Sequence, residues 1–174
     1  MRTSLLVFCL ALGLAGFGAC SSNPEVKRQK YAKYRQNRVF EYEFSVVWKG
    51  IESALVNYKI EERDPEKVSK AEFNKIPERT LETDWIYTRS NDKYVEYKVN
   101  GSPRKKYLQT RVKYFIKAER SIGGTRVLVN LQEEVERLDE KGGSEDYEEV
   151  HQVDSSRVKG LLDKINLGIL GSAP

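Results

Sequence analysis

Residues 107–136 read YLQTRVKYFIKAERSIGGTRVLVNLQEEVE, and the period of this stretch decides the fold. Leu108, Thr110, Val112, Tyr114, Ile116 and Ala118 alternate with Arg111, Lys113 and Lys117. Side chains two apart share a side of a strand, so Tyr107 to Glu119 is a long strand with an apolar face and a basic one. Gly123-Gly124 then supplies the positive backbone angles of a tight hairpin. Beyond it, Thr125 to Glu136 carries Val127, Val129, Leu131 and Val135 on one face. Two long antiparallel strands with one apolar side need a cover.

The flanking sequence provides it. Phe40, Tyr42, Phe44 and Val46 alternate with Glu41, Glu43 and Ser45 as a first strand. A helix follows at once, with Ser45 as its cap and Val47, Ile51, Ala54, Leu55 and Tyr58 at three- and four-residue steps. Tyr58 to Asp64 is a second short strand, and the charged, poorly patterned stretch from Pro65 to Arg79 reads as a surface loop. Leu81, Thr83, Trp85 and Tyr87 form one face of a third strand, Tyr94 to Val99 a fourth, and Asn100-Gly101-Ser102-Pro103 a turn. After an acidic, glycine-containing loop, Asp154 caps a last helix whose Val158, Leu161, Leu162, Ile165 and Ile169 make one apolar stripe. The expected fold is α+β: an antiparallel sheet of about five to six strands packed on two helices, in the order β-α-β-β-(β)-β-β-α over residues 39–171.

The amino-terminal 38 residues are of another kind. Arg2 leads into an apolar run from Leu5 to Phe17, and Gly18 and Ala19 stand directly before Cys20. The run is shorter than the ~20 residues of a membrane span, so residues 1–19 read as a signal peptide. Phe17-Gly18-Ala19-Cys20-Ser21 resembles the bacterial lipobox, which implies cleavage before Cys20 and acylation of that residue. Each buried methylene contributes ~0.8 kcal/mol, so two or more acyl chains at Cys20 would hold the chain on a membrane. Cys9 leaves with the signal, and the folded part then has neither thiol nor disulfide. Of the charged residues only Arg2 is removed, leaving 29 cations against 26 acids.

Residues 20–38 read as a lipid-anchored tether. Lys27, Arg28, Lys30, Lys33, Arg35 and Arg38 stand there against the single acid Glu25. The 18 residues from Ser21 to Arg38 reach roughly 25 Å as a random coil. The stretch is either a solvated linker or a contact for anionic headgroups or a partner protein, at ~1 kcal/mol per basic residue near a charged leaflet. Export excludes nucleic acid as a partner.

The segment Phe44-Ser45-Val46-Val47-Trp48 through Ala54-Leu55, the strands Tyr58–Asp64 and Leu81–Trp85, and Val153-Asp154-Ser155-Ser156-Arg157 at the start of the final helix resemble a helix-grip domain of the BamC (NlpB) lipoprotein family. The resemblance implies a lipoprotein on the periplasmic face of the outer membrane, with a non-enzymatic accessory role in assembling β-barrel proteins. Ser21 after the lipidated Cys is similar to the sorting pattern for that membrane. Outer-membrane assembly proteins are the partners implied, and this chain has room for one such domain.

Chemistry is sparse in the pattern. His151, Asp154, Ser155 and Ser156 are the residue types of a hydrolytic triad, but they crowd a helix start where nucleophile, base and orienter cannot converge. A single His and no unlipidated Cys leave a zinc site without its usual ligands. The acids from Glu133 to Glu149 lack the spacing of a Ca²⁺ loop and read as a solvated strand end and loop. No catalytic residue, cofactor or metal is expected. A second reading is a lipid or hydrophobic-ligand binding envelope lipoprotein, with Phe40, Tyr42, Trp85, Tyr87 and Tyr114 lining a cavity between sheet and helix. The basic residues Arg104, Lys105, Lys106, Arg111, Lys113, Lys117 and Arg120 either pair with the acids across the hairpin or steer a charged partner.

Overall fold

A computed structural model describes residues 33–63, 73, 75–139, 141–151 and 153–172. They form β1 (Asn37–Phe40), α1 (Phe44–Ala54), β2 (Ile60–Arg63), β3 (Glu78–Thr83), β4 (Ile86–Val99), β5 (Ser102–Ser121), β6 (Gly124–Leu138), β7 (Ser144–Glu149) and α2 (Ser156–Ser172). All seven strands join one antiparallel sheet, ordered β1-β6-β5-β3-β2, with β4 also on β5 and β7 also on β6. The class is α+β, as the alternation in residues 107–136 requires.

The β5–β6 hairpin is the spine. Its rungs run from Ser121↔Gly124 to Thr110↔Val135. At the turn end, β1 pairs with β6 over 125–128 and β3 with β5 over 115–119. At the far end, β7 pairs with β6 over 134–138 and β4 with β5 over 102–112. Gly123 has φ +84°, and a Cβ on Gly124 would sit 2.0 Å from the Phe40 carbonyl oxygen, so β1 can lie on this turn only because residue 124 is glycine.

Both helices cover the turn end. Phe44, Val47, Trp48 and Ile51 of α1 and Val158, Leu161, Leu162, Ile165 and Ile169 of α2 bury against Val112, Tyr114, Ile116, Ala118, Val127 and Val129. Each such side chain contributes about 1.5–3 kcal/mol. The helices touch through glycine: a Cβ on Gly168 would lie 2.8 Å from the Gly50 carbonyl oxygen. A smaller cluster of Val95, Leu108, Val135 and Val150 fills the far end.

Several expectations need correction. The first strand stops at Phe40 and begins at Asn37, two residues inside the stretch read as tether. Phe44 is buried by starting α1, and Tyr42 is left exposed. The cap position of α1 is Glu43, without a side-chain hydrogen bond, and Ser45 lies inside the helix. The end of the stretch read as surface loop joins the core edge, where Phe73 packs on Phe44 and the buried Arg79 guanidinium lies 4.3 Å over the Trp48 ring. The acidic loop contains a seventh strand, Ser144–Glu149, because the free edge of β6 offers it backbone partners. The third and fourth strands are redrawn as β3 and a 14-residue β4.

That redrawing moves Trp85 outward. Leu81 and Thr83 point inward, the chain kinks at Asp84-Trp85, and Ile86 then takes the inward position. Asp84 fixes the kink: its amide donates to the Lys59 carbonyl (2.8 Å) and its carboxylate accepts from the Trp85 amide (2.7 Å). A second phase change follows at the irregularity between Arg89 and Tyr94. There the Ser90 hydroxyl accepts from the Asp92 and Lys93 amides, which brings Lys93 and Val95 to the inner face.

Candidate functional site

Cys20, the signal at 1–19, and Lys27, Arg28 and Lys30 lie outside the described residues. Lys33 and Arg35 are exposed in the extended approach to β1. Arg38 is drawn into the fold: its guanidinium donates to the Asp163 carboxylate at 2.8 Å and to the Leu162 carbonyl at 3.5 Å. The Tyr34 amide donates to the Ser155 hydroxyl at 2.9 Å. The chain is thus fastened through Tyr34 to the start of α2 before β1 begins, and through Arg38 of β1 to the middle of that helix.

The residues of triad type are occupied otherwise. The Asp154 carboxylate accepts from the amide (2.9 Å) and hydroxyl (2.7 Å) of Ser156, capping α2 as its sequence requires. Ser155 receives Tyr34, and His151 is exposed. Among the described residues no group of three or more His, Cys, Asp or Glu is gathered as a metal site needs. No described helix is long and apolar enough to cross a membrane.

The five aromatic residues considered as a ligand lining are not brought together. Phe40 and Tyr114 belong to the packed core, Tyr42 is exposed, and Trp85 and Tyr87 lie on the outer face of the sheet. There the Arg111 guanidinium is held between two rings, 4.5 Å over Trp85 and 4.3 Å over Tyr147, while it pairs with Glu134 at 2.6 Å. Stacking and ion pairing together fix this planar cation.

Much of the basic face of β5 is neutralised, though in only one case across the hairpin as expected. Arg111 pairs with Glu134, its direct cross-strand neighbour. Lys113 instead donates to Glu61 and Glu82 of β2 and β3, which hold its ammonium above the usual lysine range. Lys117 turns to Glu78 at 2.6 Å. Arg120 donates to the Ile76 carbonyl at 3.1 Å.

The β4–β5 ribbon is different. Among the described residues β5 has no rung to β6 before Thr110, so residues 96–107 stand out as two strands, about 13 Å (96–99) and about 20 Å (102–107) long, exposed on both faces. Their turn is Asn100-Gly101, both at positive φ. The ribbon carries Lys98, Arg104, Lys105 and Lys106 against Glu96. Tyr97 and Val99 share a face with Arg104 and are 48% and 46% exposed. A T-shaped Tyr94–Tyr107 contact at 5.7 Å and Lys105 over the Tyr94 ring at 4.2 Å brace its base.

One buried charged group escaped the sequence reading. The Lys93 ammonium donates to the Glu133 carboxylate at 2.9 Å, and both side chains are at most 1% exposed. Glu133 Oε2 has no hydrogen-bond partner. Glu133 belongs to the acidic run that reads as a solvated strand end, but period two from Val129, Leu131 and Val135 puts residue 133 on the inner face. Lys93 carried no such signal, because the irregularity in β4 sets its direction.

No protein-family model matches this chain, and no curated protein matches it.

Proposed function

We propose that this is a non-enzymatic, lipid-anchored envelope protein that works by contact, as an accessory or scaffold in assembling outer-membrane β-barrel proteins. The observation that carries the reading is the β4–β5 ribbon. A two-stranded ribbon is marginally stable alone in water, and this one holds four cations, one acid and exposed Tyr97 and Val99 away from the core. Lysines on an edge also discourage self-pairing, but that role leaves the exposed apolar pair unexplained. The membrane location rests on the resemblance of residues 17–21 to a lipobox, and barrel assembly on the resemblance to the BamC family. The ligand-carrier reading has no comparable support, since its aromatic residues are dispersed between core and outer face.

The test is a photo-crosslinking residue at Tyr97 or Val99 in intact cells, with the exposed Val56 as a control away from the ribbon. A discrete adduct with a barrel-assembly protein from the ribbon positions, absent from Val56, supports the proposal. No adduct, or the same products from all three positions, overturns it. Cys20→Ala should abolish acyl labelling and release the protein from the membrane fraction; retention without label would refute the anchor.

A further inference from the structure

Beside β1, where the chain enters the domain, lies a groove of about 460 Å³ between that strand and α2. Tyr34, Val39 and Leu162 supply its apolar wall and Arg35, Arg38 and Lys159 its charge. Among the described residues no acid lines it. Two of its cations share one carboxylate, Asp163, which the Lys159 ammonium (2.7 Å) and the Arg38 guanidinium (2.8 Å) hold below the usual aspartate range. Arg35 makes no ion pair among the described residues. Three cations therefore face one carboxylate around an open concavity.

From this surplus we infer a binding site for a phosphate-bearing anion. Two guanidinium groups match phosphate oxygens in a way that a single lysine does not, and a charge-assisted contact is roughly twice as strong as a neutral one. The apolar wall suits the hydrocarbon part of a phosphate ester. A phosphate ester free in solution and a phospholipid headgroup share this chemistry. The second source rests on the anchored reading, in which a headgroup held here would turn the β1–α2 side of the domain toward the leaflet.

The experiment uses the full chain, isotopically labelled, titrated at low ionic strength with glycerol 1-phosphate and separately with inorganic phosphate. Saturable amide shifts are expected at residues 34–39 and 159–162, weakened at least tenfold by Arg35→Gln/Lys159→Gln and measurably by Arg35→Gln alone. Among the described residues Arg35 makes no ion pair and Lys159 is half exposed, so both variants should melt as the parent does. The source is decided by vesicle sedimentation of the Cys20→Ala chain, which removes any acyl contribution. Binding to phosphatidylglycerol but not phosphatidylcholine vesicles, lost in the double variant, identifies a headgroup; saturation without vesicle binding identifies a free phosphate ester. Absence of saturable shifts with either anion, or shifts equally strong in the double variant, overturns the site. Ribbon crosslinking is independent of these outcomes, so the two proposals fail separately.

Discussion

Removing Lys93 while keeping Glu133 should be among the most damaging single changes on the inner face of the sheet. The two groups lie 2.9 Å apart with side chains 1% and 0% exposed, and one carboxylate oxygen already lacks a partner. Lys93→Met would leave a buried carboxylate without its cation, which typically costs about 3–5 kcal/mol. For a domain of this size that is a melting decrease of roughly 10–20 °C. Glu133→Leu should cost a similar amount by stranding the ammonium, relieved in part by Asp92 at 3.4 Å. The double variant should do far better than either single one. Replacing a buried ion pair with apolar groups is often neutral or stabilising by ~1–4 kcal/mol, and Leu131 and Val135 flank position 133 on the same face. A double-mutant cycle by chemical denaturation at neutral pH measures the coupling. Single variants costing under about 1 kcal/mol, or a double variant as unstable as the worse single one, would refute a dry interior pair.

Other changes probe packing, titration and the redrawn third strand. Gly168→Ala should destabilise by about 1–3 kcal/mol in thermal melts despite a helix-propensity gain of up to ~1 kcal/mol, since its Cβ would meet the Gly50 carbonyl at 2.8 Å. Gly160→Ala, with nothing within 4 Å of the new methyl, should instead stabilise by ~0.5–1 kcal/mol; equal effects at both sites would refute the close helix contact. Burial and the neighbouring Tyr58 push the Tyr114 phenol up to about 12. The folded state thus keeps a proton that the unfolded state releases near pH 10, and about 2–3 kcal/mol is lost as pH rises from 10 to 12. Tyr114→Phe should lack that component in alkaline denaturation, and an unchanged pH profile would argue against burial of the hydroxyl. Trp85→Ala should cost ~1–2 kcal/mol, the value of a half-buried ring in contact with the Arg111 and Lys113 cations, and not the ~3–5 kcal/mol of a core tryptophan. A cost in the core range would return Trp85 to the interior.

The sheet and its cover were legible because period two and period 3.6 are set by the backbone itself. All six inward residues from Leu108 to Ala118 are buried, and so is the stripe of α2 from Val158 to Ile169. What failed was phase. Trp85 follows Leu81 and Thr83 in strict alternation, yet Asp84 binds the Lys59 carbonyl and reverses the side on which the next residues fall. Lys93 becomes an inward residue through the Ser90 hydroxyl, a contact between residues three apart that no hydrophobic pattern encodes. β7 was missed for a related reason: Ser144–Glu149 is acidic and almost wholly exposed, and forms a strand because β6 has an edge to fill. For the candidate sites, the basic character of residues 33–38 was visible, but Lys159 is distant in sequence and only the fold brings it to Arg35 and Arg38.

Stability should be unequal along β5. Near Ser121 the strand has a partner on each edge and two helices above its inner face. Past Thr110 its one strand partner among the described residues is β4, with hydrogen bonds from the Gln109 amide to Glu136, from Tyr147 to Gln109 and from Lys106 to the Gly142 carbonyl, and its apolar support falls to Val95, Leu108, Val135 and Val150 near a buried ion pair. Beyond Val95 nothing in the ribbon is buried until Leu108. Local opening is easiest where few apolar contacts accompany solvent-exposed backbone hydrogen bonds, so the ribbon can yield without loosening the helix-covered end. The groove lined by Arg35, Arg38 and Lys159 lies at the opposite, helix-covered end, on β1 and α2. On the proposed reading, an anchored chain and an anion groove at one end and a yielding basic ribbon at the other would let the domain hold a membrane and a protein partner without the two competing for one surface.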